Sequence, residues 1–243
     1  MAAAFARRRQ RAGSSHCSRI EIDTAALSVL EGLHSVAPGL CDNHRLVPCR
    51  VAMSQRPVLI AEPRWIDLER VRPGSLPGAV APWLRDPGSL TQAVVRACAA
   101  DFRVAVQHQG WGRALPSERH LLGQPLARRC LLREVKLLCG DRPWVFARTL
   151  IPATSLSGAA RRLARLRNRP LGALLFADRR TRRLATQVAR LDSRHALYHA
   201  ACSHLRAAAR PPVIWGRRTL FRYAGKPLLV NEIFLPEIPA RGA

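Results

Sequence analysis

The most constraining stretch lies near the C-terminus. Gly225-Lys226-Pro227-Leu228-Leu229-Val230-Asn231-Glu232-Ile233-Phe234-Leu235-Pro236 reads as a tight turn followed by a strongly apolar strand. Side chains alternate along a strand, so Glu232 shares a face with Leu228, Val230 and Phe234. If that face is the core, a carboxylate is buried among aliphatic groups. Burying one without a partner costs several kcal/mol or forces protonation. A strand that keeps Glu232 there pairs it or uses it. Val213 to Tyr223 reads as the preceding strand, with Ala224-Gly225-Lys226 as the turn between them.

The same anomaly occurs a second time. Arg129 to Leu138 alternates, with Leu131, Arg133, Val135 and Leu137 on one face and Leu132, Glu134, Lys136 and Leu138 on the other. Gly140-Asp141-Arg142-Pro143 forms a turn, and Trp144 to Ile151 returns as the second strand of a hairpin. Arg133 is therefore a charge on an apolar face, as Glu232 is.

The remaining elements fill in an α+β pattern. Ser89-Leu90-Thr91-Gln92 matches a capping box and predicts a helix from Leu90 to Ala100. Phe102 to Gln107 alternates as a strand that Gly110-Trp111-Gly112 ends, and 113–127 is a Leu- and Pro-rich connection with a short helical turn. Ala159 to Asn168 reads as an Arg-rich helical segment, Pro170 to Phe176 as an apolar helical turn, and Thr181 to Leu191 as a strand. Residues 192–210, rich in Ala and His, read as a helical insertion. The expectation is one domain, an antiparallel sheet of about six strands flanked by helices.

Charge narrows the function less than its size suggests. The formal net charge is +24, which points first to a nucleic-acid or anionic-surface binder. Yet Lys136 and Lys226 are the only lysines, and arginine without lysine is what a GC-rich coding sequence produces. The arginines are scattered, with few aromatic residues interleaved for base stacking, so no specific nucleic-acid partner is expected. No apolar run approaches the roughly 20 residues that span a bilayer. The 7 cysteines are odd in number and contain no CxxC pair, which argues against a disulfide framework and for a reducing cytoplasm.

Residues 1–52 differ from the rest. They carry Arg7-Arg8-Arg9 and Arg11 near the start and show no sustained periodicity. They read as a disordered extension or as sequence upstream of the true start at Met53, with a transit peptide as the alternative. The catalytic domain is then 53–243, with its core at 83–236. Intact-mass measurement of the natural protein separates these cases.

Few residues offer chemistry. His195, His199, Cys202 and His204 are the metal candidates, but no HExxH pattern and no distant ligand accompanies them, so they read as a polar helix surface. There is no phosphate-binding Gly-rich loop, no GxSxG and no evident Cys–His pair. What remains is Arg133 with Glu232. They are either a buried ion pair or the two ends of a small pocket. In the second case an arginine fork grips a carboxylate and a glutamate meets a hydroxyl, which suits a small aromatic or cyclic hydroxy acid.

Several motifs then fall in one order. Leu132-Arg133-Glu134-Val135, Pro143-Trp144 to Ala147-Arg148-Thr149, Ile151-Pro152 with Ser155-Leu156-Ser157-Gly158, Pro170-Leu171-Gly172 with Leu175-Phe176, Trp215-Gly216-Arg217-Arg218, and Gly225 to Pro236 together resemble the chorismate lyase family over roughly residues 83–236. The resemblance implies a single domain with a curved antiparallel sheet and flaps that bury the ligand. It implies a cofactor-free lyase that converts chorismate to 4-hydroxybenzoate and pyruvate, the first committed step of ubiquinone synthesis in many bacteria. By the same resemblance Arg133 holds the ring carboxylate, Glu232 the ring hydroxyl, and a backbone group at Leu171 also contacts the ligand. Leu90, with Thr91 beside it, closes over the ligand where the family usually has Met. Arg148, on the strand paired with Arg133, is the candidate for the second carboxylate or the developing enolate. The protein is expected to act as a monomer with chorismate as its partner. The rival is a ligand-sensing effector domain of a transcription regulator, which resembles the same fold. That reading requires a helix-turn-helix before the domain, and residues 1–88 show none that convinces.

Overall fold

A computed structural model describes residues 61–241 of the chain; the proposed extension at 1–52 lies outside them. The described residues build one antiparallel sheet in the order β1 (Ile66–Asp67), β5 (Arg182–Leu191), β6 (Ile214–Tyr223), β7 (Lys226–Phe234), β4 (Arg142–Pro152), β3 (Cys130–Cys139), β2 (Phe102–Gly112). The two hairpins read from alternation form its centre. β3 (Cys130–Cys139) pairs with β4 (Arg142–Pro152), and β6 (Ile214–Tyr223) pairs with β7 (Lys226–Phe234). The hairpins join through β4 and β7, so Arg133 and Glu232 stand on strands separated only by β4. β2 (Phe102–Gly112) and β5 (Arg182–Leu191) extend the sheet on either side. A two-residue strand, β1 (Ile66–Asp67), adds an edge that the sequence did not announce.

Register sorts the side chains into two faces. Val135 and Leu137 on β3, Val145 and Ala147 on β4, and Val230 and Phe234 on β7 share one face through their cross-strand pairing, and Arg133 and Glu232 share it with them. Over this face lie α1 (Ala81–Arg85) and α2 (Leu90–Ala97), whose Trp83, Leu84, Leu90 and Val94 complete the core. Ser89 caps α2 by accepting from the Gln92 amide at 3.4 Å. The helix stops at Ala97 rather than Ala100 because Cys98 is already extended (φ −82°, ψ 118°). Cys98 is bonded there to Cys139 at the end of β3, with a Cα–Cα distance of 5.6 Å. The sequence reading argued against a disulfide framework; among the described residues there is this one cross-link, and Cys130 and Cys202 are free and buried.

The register shifts at three places, between Leu137 and Leu138 in the β3–β4 pairing and at one bulge each in β2 and β5. β2 gains one residue between Val106 and His108, so Val104, Val106 and then Gln109 face the same way. β5 gains one between Arg183 and Ala185, so Arg183 shares a face with Thr186 and Val188. The Arg-rich segment expected at 159–168 is a 3-10 turn, Gly158–Arg165, followed by α4 (Leu171–Ala177). The insertion at 192–210 is ordered around α5 (Ala196–Ala201), which packs Leu197, Tyr198 and Ala201 against Ile233 on the opposite face.

That opposite face holds a polar network. Glu118, on α3 (Pro116–Leu121), is 1% exposed. Its carboxylate accepts from Arg148 Nε at 3.1 Å, Asn231 Nδ2 at 2.8 Å and the Leu115 amide at 2.8 Å. Arg148 also donates to Glu134 Oε1 at 2.6 Å. Burial alone would lower the Arg148 pKa, but the two carboxylates beside it raise it above the ordinary value. Each charge here is answered, and removing one strands the others. Glu118→Ala is expected to cost about 3–5 kcal/mol of unfolding free energy. A urea titration reads this directly, and a loss below about 1 kcal/mol would show that the network does not hold the sheet to α3.

Candidate active site

The cavity sits on the first face of the sheet, under α2 and α4. Arg133, Thr149, Glu232, Leu90 and Leu171 all line it. It encloses about 580 Å³ of space free of atoms, solvent at its mouth included. The centre of a water molecule can reach only about 50 Å³ of this. The walls therefore lie close, as a slot for a flat ring requires.

Arg133 forms one end. It is 2% exposed, and its guanidinium donates to Gln109 Oε1 at 3.1 Å and to the Arg169 carbonyl at 3.3 Å. The bulge in β2 is what turns Gln109 onto this face, directly across from Arg133. No carboxylate lies within salt-bridge distance of Arg133 among the described residues. Burial accordingly lowers its pKa from the ordinary arginine value. A guanidinium has five N–H donors, so these two bonds leave donors for a ligand.

Glu232 forms the other end. It lies directly across from Arg217 on β6 and Ala147 on β4. Arg217 Nε donates to Glu232 Oε2 at 2.7 Å. Arg217 is fully buried and is further fixed by donating from Nη1 to the Trp83 carbonyl at 3.2 Å and the Asp86 carbonyl at 2.7 Å. The surroundings of Glu232 are therefore not purely apolar, and its partner is Arg217 rather than Arg133. Arg133 and Glu232 stand two strand spacings apart and two residues offset along the strand, about 12 Å in all, which leaves room for one ring between their side chains.

Leu90 and Thr91 come from the capped start of α2, and Leu171 from the start of α4. The two covers touch at Gly172, where an added Cβ would lie 2.9 Å from Ser89 Oγ and 3.1 Å from Thr91 Oγ1. Pro170-Leu171-Gly172 is thus a contact surface as well as a turn.

One expected residue is absent from the cavity. Arg148 points to the opposite face, into the Glu118 network, because Ala147 and Thr149 on either side of it face the cavity. Strand parity rules it out. Conversely, the reading from sequence gave no role to Arg217 or Gln109. Arg217 sits in the Trp215-Gly216-Arg217-Arg218 motif, and its pairing with Glu232 follows from the 224–226 turn once the register is counted. Gln109 had no such signal, since a bulge hides it. The histidines face separate partners: His195 Nδ1 lies 3.1 Å from Asp192, His199 bonds the Ser193 carbonyl at 2.6 Å, and His204 lies 3.9 Å from Glu237.

A narrow cavity with an arginine at one end, a paired carboxylate at the other and aliphatic and aromatic walls between them is suited to a small, flat, anionic ring bearing a hydroxyl. Comparisons with known proteins agree with that class. Residues 64–242 match the family model described as Chorismate lyase. A probable chorismate pyruvate-lyase from Methylococcus capsulatus is 46% identical over 156 residues, covering 64% of this chain and 94% of the relative. One from an Azoarcus species is 46% identical over 159 residues, covering 65% and 84%. Among solved structures, PhnF from Mycobacterium smegmatis aligns with a TM-score of 0.44 at 17% identity, over 63% of this chain and 66% of that one. The chain belongs to the chorismate lyase family.

The Gly172 contact is testable. Gly172→Val is expected to prop α4 away from α2, since the new side chain meets two hydroxyl groups at under 3.2 Å. Hydrogen exchange at 171–177, followed by mass spectrometry, should then quicken several-fold while the central strands stay protected. Unchanged exchange would mean that the covers do not rest on this contact.

Proposed function

We propose that this protein converts chorismate to 4-hydroxybenzoate and pyruvate without a cofactor. The observation that supports the reading is that Arg133 and Glu232 line one narrow cavity from strands separated by β4. Chorismate has a ring carboxylate at one end and a hydroxyl at the other, which matches that spacing. Arg133 takes the ring carboxylate through its free donors. Glu232 Oε2 is held by Arg217, and Oε1 is left to meet the hydroxyl-bearing carbon.

The chemistry is an elimination. The ring carbon that bears the hydroxyl loses its hydrogen as a proton, and Glu232 is placed to take it. The electron pair forms the last ring double bond as the neighbouring C–O bond breaks. Enolpyruvate leaves with the ether oxygen and the bonding pair, then gains a proton on its methylene carbon to become pyruvate. Aromatisation drives the reaction, so the protein has mainly to orient the ring and exclude water. Its narrow walls and two covers suit both tasks. We assign it to the first committed step of ubiquinone synthesis, in the cytoplasm, as a monomer with no nucleic-acid partner.

Incubation of the full chain with chorismate, followed by chromatography for 4-hydroxybenzoate and pyruvate, is expected to give both in equal amounts. Binding without turnover would favour the ligand-sensing reading instead. Arg133→Ala should abolish measurable binding of the ring acid. Glu232→Gln should retain most binding and lose about 10²–10⁴-fold in rate; full activity in that variant would remove the proton transfer from Glu232.

A further inference from the structure

Chorismate carries two carboxylates, and among the described residues Arg133 is the one cation that lines the ring slot. Arg217 is committed to Glu232 and two carbonyls, and Arg148 faces the other side of the sheet. The orientation proposed above says where the second carboxylate must go. The ether carbon is adjacent to the hydroxyl carbon, so the enolpyruvyl arm leaves the ring at the Glu232 end.

A second cavity opens at that end. Water can occupy about 250 Å³ of it, against about 50 Å³ in the ring slot. The two share Leu175, Phe176 and Phe221 as their common wall. Phe176, on α4, meets Phe221 edge-on with ring centroids 6.3 Å apart, and it is half exposed. Beyond that wall the lining carries two arginines, Arg179 and Arg183, and one carboxylate, Asp178, which Arg180 already engages.

Arg183 is held there by construction. The bulge at Leu184 sets it directly across from Phe221, on the same face as Arg217 and Glu232. Its guanidinium lies over the Phe221 ring, 5.4 Å from the centroid. Nη2 donates to the Gly88 carbonyl at 3.1 Å, and Nη1 approaches the Asp86 carbonyl at 3.5 Å. Among the described residues no carboxylate lies within salt-bridge distance of it. Burial, and then the charge of Arg217, lower its pKa, with the charges of Glu232 and Asp86 opposing that shift.

The geometry points to a second anion subsite in which Arg183 binds the enolpyruvyl carboxylate of the substrate and the enolpyruvate that departs. It rests on the chorismate reading and deepens it. As the C–O bond breaks and the pair moves to the ether oxygen, charge grows on a fragment already held by Arg183. The wider cavity then gives that fragment a way out distinct from the ring slot.

The test compares two ligands that differ at this subsite. Chorismate has the enolpyruvyl carboxylate; 4-hydroxybenzoate lacks it. In the full chain, Arg183→Ala is expected to raise the KM for chorismate about 10–100-fold, as loss of a charge-assisted hydrogen bond does. The Kd for 4-hydroxybenzoate, measured by calorimetry, should change less than about twofold. Arg183→Lys should recover part of the loss, since it restores the charge without the fork. An unchanged KM in a folded Arg183→Ala protein overturns the subsite. Equal losses for both ligands overturn it as well, because they mark a purely structural role. Wild-type protein that leaves chorismate intact would instead remove the underlying reading, and the wild-type control separates that case from the other two.

Discussion

The arrangement depends on the ion pair between Arg217 and Glu232. A carboxylate on the inner face of a strand is costly, and a buried arginine is costly too; side by side on β6 and β7 each answers the other. The remaining Arg217 donors reach the carbonyls of Trp83 and Asp86, which fixes the segment around α1 against the sheet. One guanidinium therefore aims the carboxylate and anchors part of the roof. Because Arg217 engages only Oε2, it does so without consuming the whole of Glu232.

The two faces of the sheet solve different problems with the same residue types. On the outer face Arg148, Glu118 and Glu134 answer one another's charge, Asn231 donates to Glu118, and Arg218 joins Ser117 and Gln187 while lying over Trp65. Burial takes the Arg218 pKa down to about 10, although Glu118 and other carboxylates oppose that shift. On the inner face Arg133 and Arg183 have no carboxylate partner among the described residues. Saturated charges make a scaffold and unsaturated ones make a site. Arg148 and Arg133, on adjacent strands, differ in this and not in residue type.

Much of this was legible in the chain because alternation fixes which residues share a face. The hairpins at 130–152 and 214–234, the helix after Ser89 and the placing of Arg133 with Glu232 all follow from a period of two or from a cap. Arg148 was misplaced because its strand was recognised but its parity was not counted against Ala147 and Thr149. The cross-link between Cys98 and Cys139 joins residues 41 apart, and no spacing rule reports that two such ends will meet. The two-residue β1 is too short to carry a pattern. The role of Gln109 was hidden for a further reason: a bulge breaks the alternation on which such readings rest.

Those bulges make the ligand-facing surface sensitive to frame as well as to composition. Upstream of the extra residue in β5, the side chains that look inward are the odd-numbered ones; downstream they are the even-numbered ones. A chain that drew Leu184 into the ladder would keep every residue, yet Leu184 would then face Phe221 and Arg183 would turn to the outer face. Relatives that pair this residue, or Gln107, instead of bulging it out can therefore differ in what they recognise while differing almost nowhere in their letters. An alignment with no gap at all would miss the change, because the chemical unit is the strand segment that turns over with the register.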